Sequence, residues 1–273
     1  MHTSELDANL SQQLLSKKKY RHLIGYLISS AIAGEIVAAK AYAQMSLLTE
    51  NRFEMKTLLK EGQEELMHAD MLEKLAKQLN VPFVNRIIEP EWKNILAFIK
   101  EKANNNDYMS CFLAQEIVLE SMAIVLYQTM SGEGSEVDNI TAKVTSRILA
   151  DELEHVESGV NYLKDNLNKN KLLTYEKLNE VNDRVLPQVY NLIRNGCDSL
   201  CSEMNVECGT FGPEEIGLDF DTLRLNALDR YMETLDEAGV EPEFISRLML
   251  NVAGFNNKDS AMQQQCCCYT RDT

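Results

Sequence analysis

The sequence predicts an all-α fold, a four-helix bundle with additional C-terminal helices, and three observations carry that expectation. Leu, Ala, Glu, Lys and Met, all good helix formers, dominate its 273 residues, against only 12 Gly and 5 Pro. Apolar residues recur at helical spacing through four long segments. Two short motifs, Glu65-Leu66-Met67-His68 and Glu152-Leu153-Glu154-His155, each set a carboxylate and an imidazole three residues apart. On a helix that spacing turns both side chains to one face.

The first segment runs from about Leu14 to Leu48, with apolar positions at Leu23, Ile24, Leu27, Ile28, Ile32, Val37, Ala38 and Ala41. Arg52 to Asn80 repeats the pattern through Leu58, Leu59, Leu66, Leu72, Leu75 and Leu79. Pro82 and Pro90 break the chain; Glu91 to about Asn104 then reads as a short helix, and Asn104-Asn105-Asn106-Asp107 as a turn. Tyr108 to Met130 and Asn139 to about Leu167 are two more long helices, separated by Gly132-Glu133-Gly134-Ser135. Tyr175 to Asn195 is expected to be helical with Pro187 as a kink or restart, and Gly196 to Gly217 irregular or partly helical. Phe220 to Ala238 is a helix, and Glu241-Pro242-Glu243-Phe244 opens a last short one with Pro near its first turn. No linker divides the chain, so residues 1–255 are expected to form one domain and 256–273 a flexible Cys-containing tail.

Composition narrows the function. A hydrophobic fraction of 45% supplies a substantial core. The net charge of -15 argues against nucleic acid or an anionic membrane surface as partner, since both need clustered Lys and Arg. The one basic run, Lys17-Lys18-Lys19-Tyr20-Arg21, reads as a solvated helix start. With no stretch of about 20 uncharged apolar residues and no leader-like N-terminus, the expectation is a cytoplasmic protein without a transmembrane segment. Seven cysteines are an odd number, unevenly placed at Cys111, Cys197, Cys201, Cys208 and Cys266-Cys267-Cys268, which suits reduced thiols better than a disulfide framework. Cys197, Cys201 and Cys208 lack a nearby fourth Cys or His for a zinc site.

The spacing of the glutamates carries the chemistry. Each Glu-x-x-His motif is preceded by another glutamate at nearly equal distance, Glu35 before the first and Glu120 before the second. Antiparallel helices joined by a short turn bring together residues equidistant from that turn. The midpoint of Glu35 and Glu65 falls in Thr49-Glu50-Asn51, and that of Glu120 and Glu152 beside Gly134-Ser135. Both are turns by composition. Each helix hairpin therefore carries Glu on one arm and Glu-x-x-His on the other, about 22 Å from the turn at 1.5 Å per residue. The stretch from His68 to Glu120 serves as the crossover that docks hairpin on hairpin, giving a ferritin-like bundle with the ligand inventory of a carboxylate-bridged two-metal site.

In that arrangement Glu65 and Glu152 bridge, His68 and Glu35 complete one metal, and His155 and Glu120 the other. Oxygen-rich ligation with one imidazole per metal suits iron or manganese and dioxygen chemistry. The settings Ala31-Ile32-Ala33-Gly34-Glu35-Ile36-Val37-Ala38-Ala39 and Ile117-Val118-Leu119-Glu120-Ser121-Met122-Ala123 are poor surroundings for solvated glutamates. Glu61, Glu64, Glu73, Glu154 and Glu157 lack them and are expected at the surface. Tyr42 and Tyr127 stand seven residues after Glu35 and Glu120, two turns along the same face, where core packing and a hydrogen bond to the site are equally open. Asp151 can take the proton of a ligand histidine on a neighbouring helix. Gln115 and Glu116 precede Glu120 by five and four residues; a polar contact at the bundle edge is expected of Glu116, with a spare ligand or proton donor as the alternative.

Gly34-Glu35 with Tyr42, Glu65-Leu66-Met67-His68, Gln115 with Glu120 and Tyr127, and Asp151-Glu152-x-x-His155 together resemble the motifs of the aldehyde-deformylating oxygenases, or fatty aldehyde decarbonylases, of the ferritin-like diiron superfamily. The resemblance extends more weakly over about residues 20 to 255, including Asn161-Tyr162-Leu163-Lys164, Leu235-x3-Gly239 and Ile245-Ser246-Arg247. It implies two ferrous ions held by Glu35, Glu65, His68, Glu120, Glu152 and His155, dioxygen as co-substrate, and electrons from ferredoxin or a similar donor. The small apolar substrate would be a fatty aldehyde, cut to formate and a hydrocarbon one carbon shorter. Ala31, Ala33, Ala38, Ala39 and Ala41 could leave room for its tunnel. The chain departs from the family in lacking a cysteine after the first motif, where Leu75 and Ala76 stand, and in carrying Glu64 and Glu116. The stretch from Cys197 to Gly217 and the tail beyond Phe255 are also longer than expected. A diiron N-oxygenase or hydroxylase with another substrate is the alternative. A ferroxidase or peroxide-scavenging protein fits less well, since the chain is long and has no Cys-x-x-Cys pair.

Overall fold

Among the residues that the computed structural model describes, 11–133, 136–205 and 220–258, every regular element is helical. Residues 11–16 form a short helical segment ahead of α1 (Lys18–Ser46). Helix α1 is apolar on nearly every side, and 19 of its 29 residues are buried, so it forms the spine of the molecule. Asn51 then caps α2 (Arg52–Leu79), its side-chain oxygen accepting from the backbone N–H groups of Phe53 and Glu54. Asn80 stops α2 in the left-handed conformation, φ 49°, while Val81 N–H returns to the Ala76 carbonyl. The buried stripe of α2 contains Leu58, Glu61, Glu65, His68, Leu72 and Leu79.

A 3-10 turn at Arg86–Ile88 leads to the crossover helix α3 (Pro90–Asn104), with Pro in its first turn. Asp107 caps α4 (Tyr108–Met130), whose middle, Leu113–Leu119, is wound as a π-helix. Asp138 caps α5 (Asn139–Arg184) by accepting from the Ile140 and Thr141 N–H groups. It also accepts the Tyr20 hydroxyl at 2.8 Å, which ties the second hairpin to the start of α1. Four shorter helices follow among the described residues: α6 (Leu186–Arg194), α7 (Gly196–Met204), α8 (Phe220–Glu237) and α9 (Pro242–Lys258).

The expected boundaries hold in part. The break expected between Leu167 and Tyr175 is present: α5 is two helices joined at a kink at Asn170 (φ -155°, ψ 82°), whose side-chain oxygen accepts from the Leu173 N–H of the second. The restart at Pro187 is real, but it belongs to α6, whose first turn accommodates the missing N–H. The last helix is not short: it has 17 residues. Within the expected irregular stretch, α7 is regular, and residues 206–219, with Cys208, lie outside the described residues, as do Gly134-Ser135 and 259–273 with Cys266-Cys267-Cys268. Cys111 is a buried free thiol, and Cys201 is buried as well.

The hairpins α1–α2 and α4–α5 pack as a four-helix bundle with α3, α6 and α8 against one side. By length and composition alone α1 and α4 would suit a membrane, yet their apolar windows are 78% and 72% buried inside the bundle, as core helices are. One apolar cluster joins the second half of α1 to α3, α4, α5 and α8 around Val37, Ile95, Ile117, Leu163 and Tyr231. Another joins the first half of α1 to α2 and the start of α5 around Ile24, Ile28, Leu72, Leu75 and Ile148. The glutamates and histidines of the two motifs meet where these clusters abut.

Candidate metal centre

Each long helix of the bundle delivers its expected residue to one point. Glu35, Glu65, His68 and Glu152 form one set, Glu65, Glu120, Glu152 and His155 another, and in each set the ligand atoms lie within 4.8 Å of one another. All six residues are buried, from 1% to 5% exposed, so none is an ordinary surface carboxylate. His68 Nδ1 stands 3.1 Å from Glu152 Oε1, 3.4 Å from Glu35 Oε2 and 3.7 Å from Glu65 Oε2. His155 Nδ1 stands 3.1 Å from Glu65 Oε1 and 3.4 Å from Glu152 Oε2. Glu65 and Glu152 thus each turn one oxygen to either histidine, which is the disposition of bridging carboxylates.

The donor set fits divalent metals. Ligands bound at about 2.1 Å and at right angles sit about 3 Å apart, close to the spacings seen here. Glu35 Oε2, Glu65 Oε1, both oxygens of Glu152 and Nδ1 of both histidines are buried without hydrogen-bond partners. Orphaned buried groups are costly, and a pair of divalent cations facing them would satisfy all of them at once.

Neighbouring residues hold the set in place, and their arrangement is crosswise. The Tyr127 hydroxyl, on α4, donates to Glu35 Oε1 on α1, while the Tyr42 hydroxyl, on α1, donates to Glu120 Oε1 on α4 at 3.3 Å. Gln115 Nε2 donates to the same Glu120 oxygen at 2.6 Å. Residues five apart do not face each other on an α-helix; the π-helical winding of Leu113–Leu119, with its i to i+5 bonding, brings them together. His68 Nε2 donates to Asp151 Oδ2 at 3.0 Å, which would leave Nδ1 as the ring nitrogen that could bind a metal. Antiparallel packing gives His155 a related neighbour, Glu64, whose Oε2 is 3.8 Å from Nε2.

The electrostatics follow from crowding. Burial, then the charges of Glu152 and Glu65, raise Glu35 and Glu120 well above the ordinary carboxyl range. Burial would lower both histidines, but Glu152, Glu35 and Glu65 around His68 and Glu152 and Glu65 around His155 overcome it and raise them. Burial would likewise raise Glu152, yet the neighbouring His155, His68 and Glu120 side chains hold it down at about 2.

Three glutamates depart from expectation. Glu61, expected at the surface, is 7% exposed; it lies four residues before Glu65, on the same helix face, so the periodicity that found Glu65 also carries it inward. Glu64 is only half-buried at 25% side-chain exposure, held between Lys60 and His155. Glu116 is fully buried beside the centre rather than at the bundle edge.

A cavity of about 120 Å³ opens from the centre, bounded there by Glu35, Glu65, Gln115, Glu120 and Glu152. It runs along α1 past Gly34 and Ala31 to Tyr26, about 13 Å for nine residues of helix. Of the alanine stripe, Ala31 and Ala38 line it, whereas Ala33 and Ala41 pack into the core. Its other walls come from Met122 and Leu126 on α4, Val189 and Ile193 on α6, and Leu223 and Ala227 on α8. Tyr26 and Phe220, edge to face with centroids 6.1 Å apart, stand at the far end. Sequence periodicity gave no signal for the walls from α6 and α8, because ordinary core residues share their spacing.

Comparison with known proteins bears on this geometry. Residues 17–251 match the family described as long-chain fatty aldehyde decarbonylase. Among solved structures the chain is similar to a Synechococcus protein, "Protein 19 with aldehyde deformylating oxidase activity", with a TM-score of 0.70 and 18% identity, over 86% of this chain and 98% of that one. At that identity the likeness is one of fold. No curated protein matches.

Proposed function

Because the chain belongs to the long-chain fatty aldehyde decarbonylase family, we propose that it uses dioxygen and electrons at a two-iron centre to cleave a fatty aldehyde into formate and a hydrocarbon one carbon shorter. The observation that carries the reading is a pair of buried metal-binding sets, sharing Glu65 and Glu152, at the end of an apolar tunnel. Glu35, Glu65, His68 and Glu152 would hold one iron and Glu65, Glu120, Glu152 and His155 the other, with manganese suited to the same donors. Bound ferrous ions supply the capacity to take up and reduce dioxygen.

The chain's own residues do the rest. The tunnel accepts an alkyl chain lengthwise and excludes water, so a linear aldehyde enters with its carbonyl at the Glu35–Glu120 end. Tyr127 and Tyr42 fix the outer oxygens of Glu35 and Glu120, and Gln115 adds a second donor to Glu120. Asp151 keeps the His68 ring in one tautomer and one orientation. Aldehyde, dioxygen, four electrons and three protons balance against hydrocarbon, formate and water. The electrons come from a ferredoxin or similar donor in the cytoplasm, where seven cysteines stay reduced.

The reading is tested by incubating the reduced, iron-loaded protein with dioxygen, an electron donor and a panel of aldehydes, amines and fatty acids. Formate with a hydrocarbon one carbon shorter is expected. An oxygenated amine or acid would transfer the protein to another diiron oxygenase class, and iron oxidation without turnover would make it an iron-handling protein.

A further inference from the structure

The cavity that opens from the centre is short for a fatty chain. From Glu35 to Tyr26 it follows nine residues of α1, about 13 Å. An extended alkyl chain advances about 1.25 Å per carbon at ordinary bond lengths and angles, so about ten carbons fill that distance. By volume the room is smaller still. At about 120 Å³ the cavity falls below the roughly 150 Å³ at which an apolar cavity takes up benzene, a molecule of about six carbons.

Packed side chains close the far end. Tyr26, which is buried, and Phe220, edge to face with it, stand across the cavity there. Behind them lies the start of α7: a Cβ at residue 196 would sit 2.7 Å from Phe220 Cε1 and 3.0 Å from the Tyr26 hydroxyl oxygen, and the residue there is glycine. Both rings line the cavity and Gly196 does not, so the rings stand between α7 and the space for substrate. The Tyr26 hydroxyl donates to the Leu192 carbonyl of α6 at 3.5 Å. Over the Tyr26 ring, 3.9 Å from its centroid, lies the guanidinium of Arg86. Arg86 is 3% exposed and is itself fixed by Glu89 at 2.7 Å and by Glu203 on α7. Swinging Tyr26 aside to admit a longer chain breaks a desolvated cation–ring contact that a buried ion-pair network holds in place.

We propose that Tyr26 and Phe220, backed by Gly196 and Arg86, set the length limit of the tunnel, and that the substrates are medium-chain aldehydes of about six to ten carbons. The limit rests on the reading that the aldehyde carbonyl lies at the Glu35–Glu120 end. A carbon chain that reaches the two rings meets a wall built from α1, α6, α7 and α8, and each further methylene must overpack it.

The test measures binding before turnover. The full chain, loaded with ferrous ion under nitrogen, is titrated with straight-chain primary alcohols from hexanol to hexadecanol, which stand in for the aldehydes without reacting. Binding is read from the fluorescence of Trp92, the one tryptophan of the chain, which lines the cavity. Each added methylene should tighten binding about fourfold while there is room to bury it. The gain should break at or before decanol, with the next members about tenfold weaker. Phe220→Ala should move the break to longer alcohols. Gly196→Ala, whose methyl group pushes the two rings toward the cavity, should move it to shorter ones. Affinity that keeps rising past decanol in the wild type, or a break that stays in place in either variant, would overturn the limit. With dioxygen, an electron donor and an equimolar mixture of aldehydes, octanal and decanal should yield more formate and hydrocarbon than hexadecanal. The reverse order would overturn the limit and leave the proposed function standing. If no aldehyde yields formate, the proposed function fails, while the alcohol series still decides the limit.

Discussion

Stripping the metal from the centre should make the protein lose stability as the pH rises, and the sign follows from the crowded acids. Glu35, Glu116 and Glu120 are raised above the ordinary 4.5 by burial and by neighbouring carboxylates. His68 and His155 are raised above 6.5 by the carboxylates around them, against the effect of burial. Each of these groups keeps its proton in the folded chain at pH values where the unfolded chain has released it. The folded state then binds more protons, and stability falls as the pH rises, from about 4.5 for the glutamates and from about 6.5 for the histidines. Glu152 works in the opposite sense, but its window lies between about 2 and 4.5, below the range tested. Taking one net proton as the minimum, the loss is about 1.4 kcal/mol per pH unit, or about 2.7 kcal/mol between pH 5.5 and 7.5. That is a large share of a domain stability of about 5–15 kcal/mol. Bound cations replace those protons, so the loaded protein should show a flatter profile and higher stability at pH 7.5. Urea unfolding at both pH values, after chelation and again with two equivalents of ferrous ion under nitrogen, measures the difference. Metal-free stability that is constant or rises over this interval would refute the reasoning.

Other substitutions probe the neighbouring residues. Asp151→Asn should weaken metal binding about 10–100-fold with the fold intact, read by competition against a chelator, because it removes the acceptor that orients His68. Gly159→Ala should cost about 1–3 kcal/mol in urea unfolding, since its Cβ would meet the Glu116 carbonyl oxygen at 3.0 Å as well as Glu116 Cβ. Phe220→Ala should shift preference toward longer aldehydes in a mixed-substrate assay, by opening the far end of the tunnel beside Tyr26.

The ligand helices were legible because their function demands a repeating geometry. Glu35 and Glu65, equidistant from a turn next to Asn51, had to meet if that turn was short, and Asn51 is indeed the cap of α2. The seven-residue offsets of Tyr42 and Tyr127 pointed at the same face, although periodicity did not reveal that each would serve the opposite hairpin's glutamate. Glu61 escaped notice because a carboxylate between polar or small neighbours, as in Lys60-Glu61-Gly62, looks solvated even when helix phase turns it inward. Glu116 has apolar neighbours on its far side, and its depth depends on how closely α5 approaches at Gly159. The break expected between Leu167 and Tyr175 falls at Asn170, in the polar run Asn168-Lys169-Asn170, where one residue out of helical geometry separates the two parts of α5. Tunnel walls on α6 and α8 depend on how those helices dock against the bundle, which is a tertiary fact with no local signature.

The central claim is that two metals share Glu65 and Glu152, and the magnetic behaviour of the iron-loaded protein tests it most directly. Mössbauer and susceptibility measurements on oxidised protein carrying two irons per chain should show an antiferromagnetically coupled diferric pair. Two magnetically independent ferric ions, or one iron bound per chain at saturation, would contradict the shared-carboxylate centre.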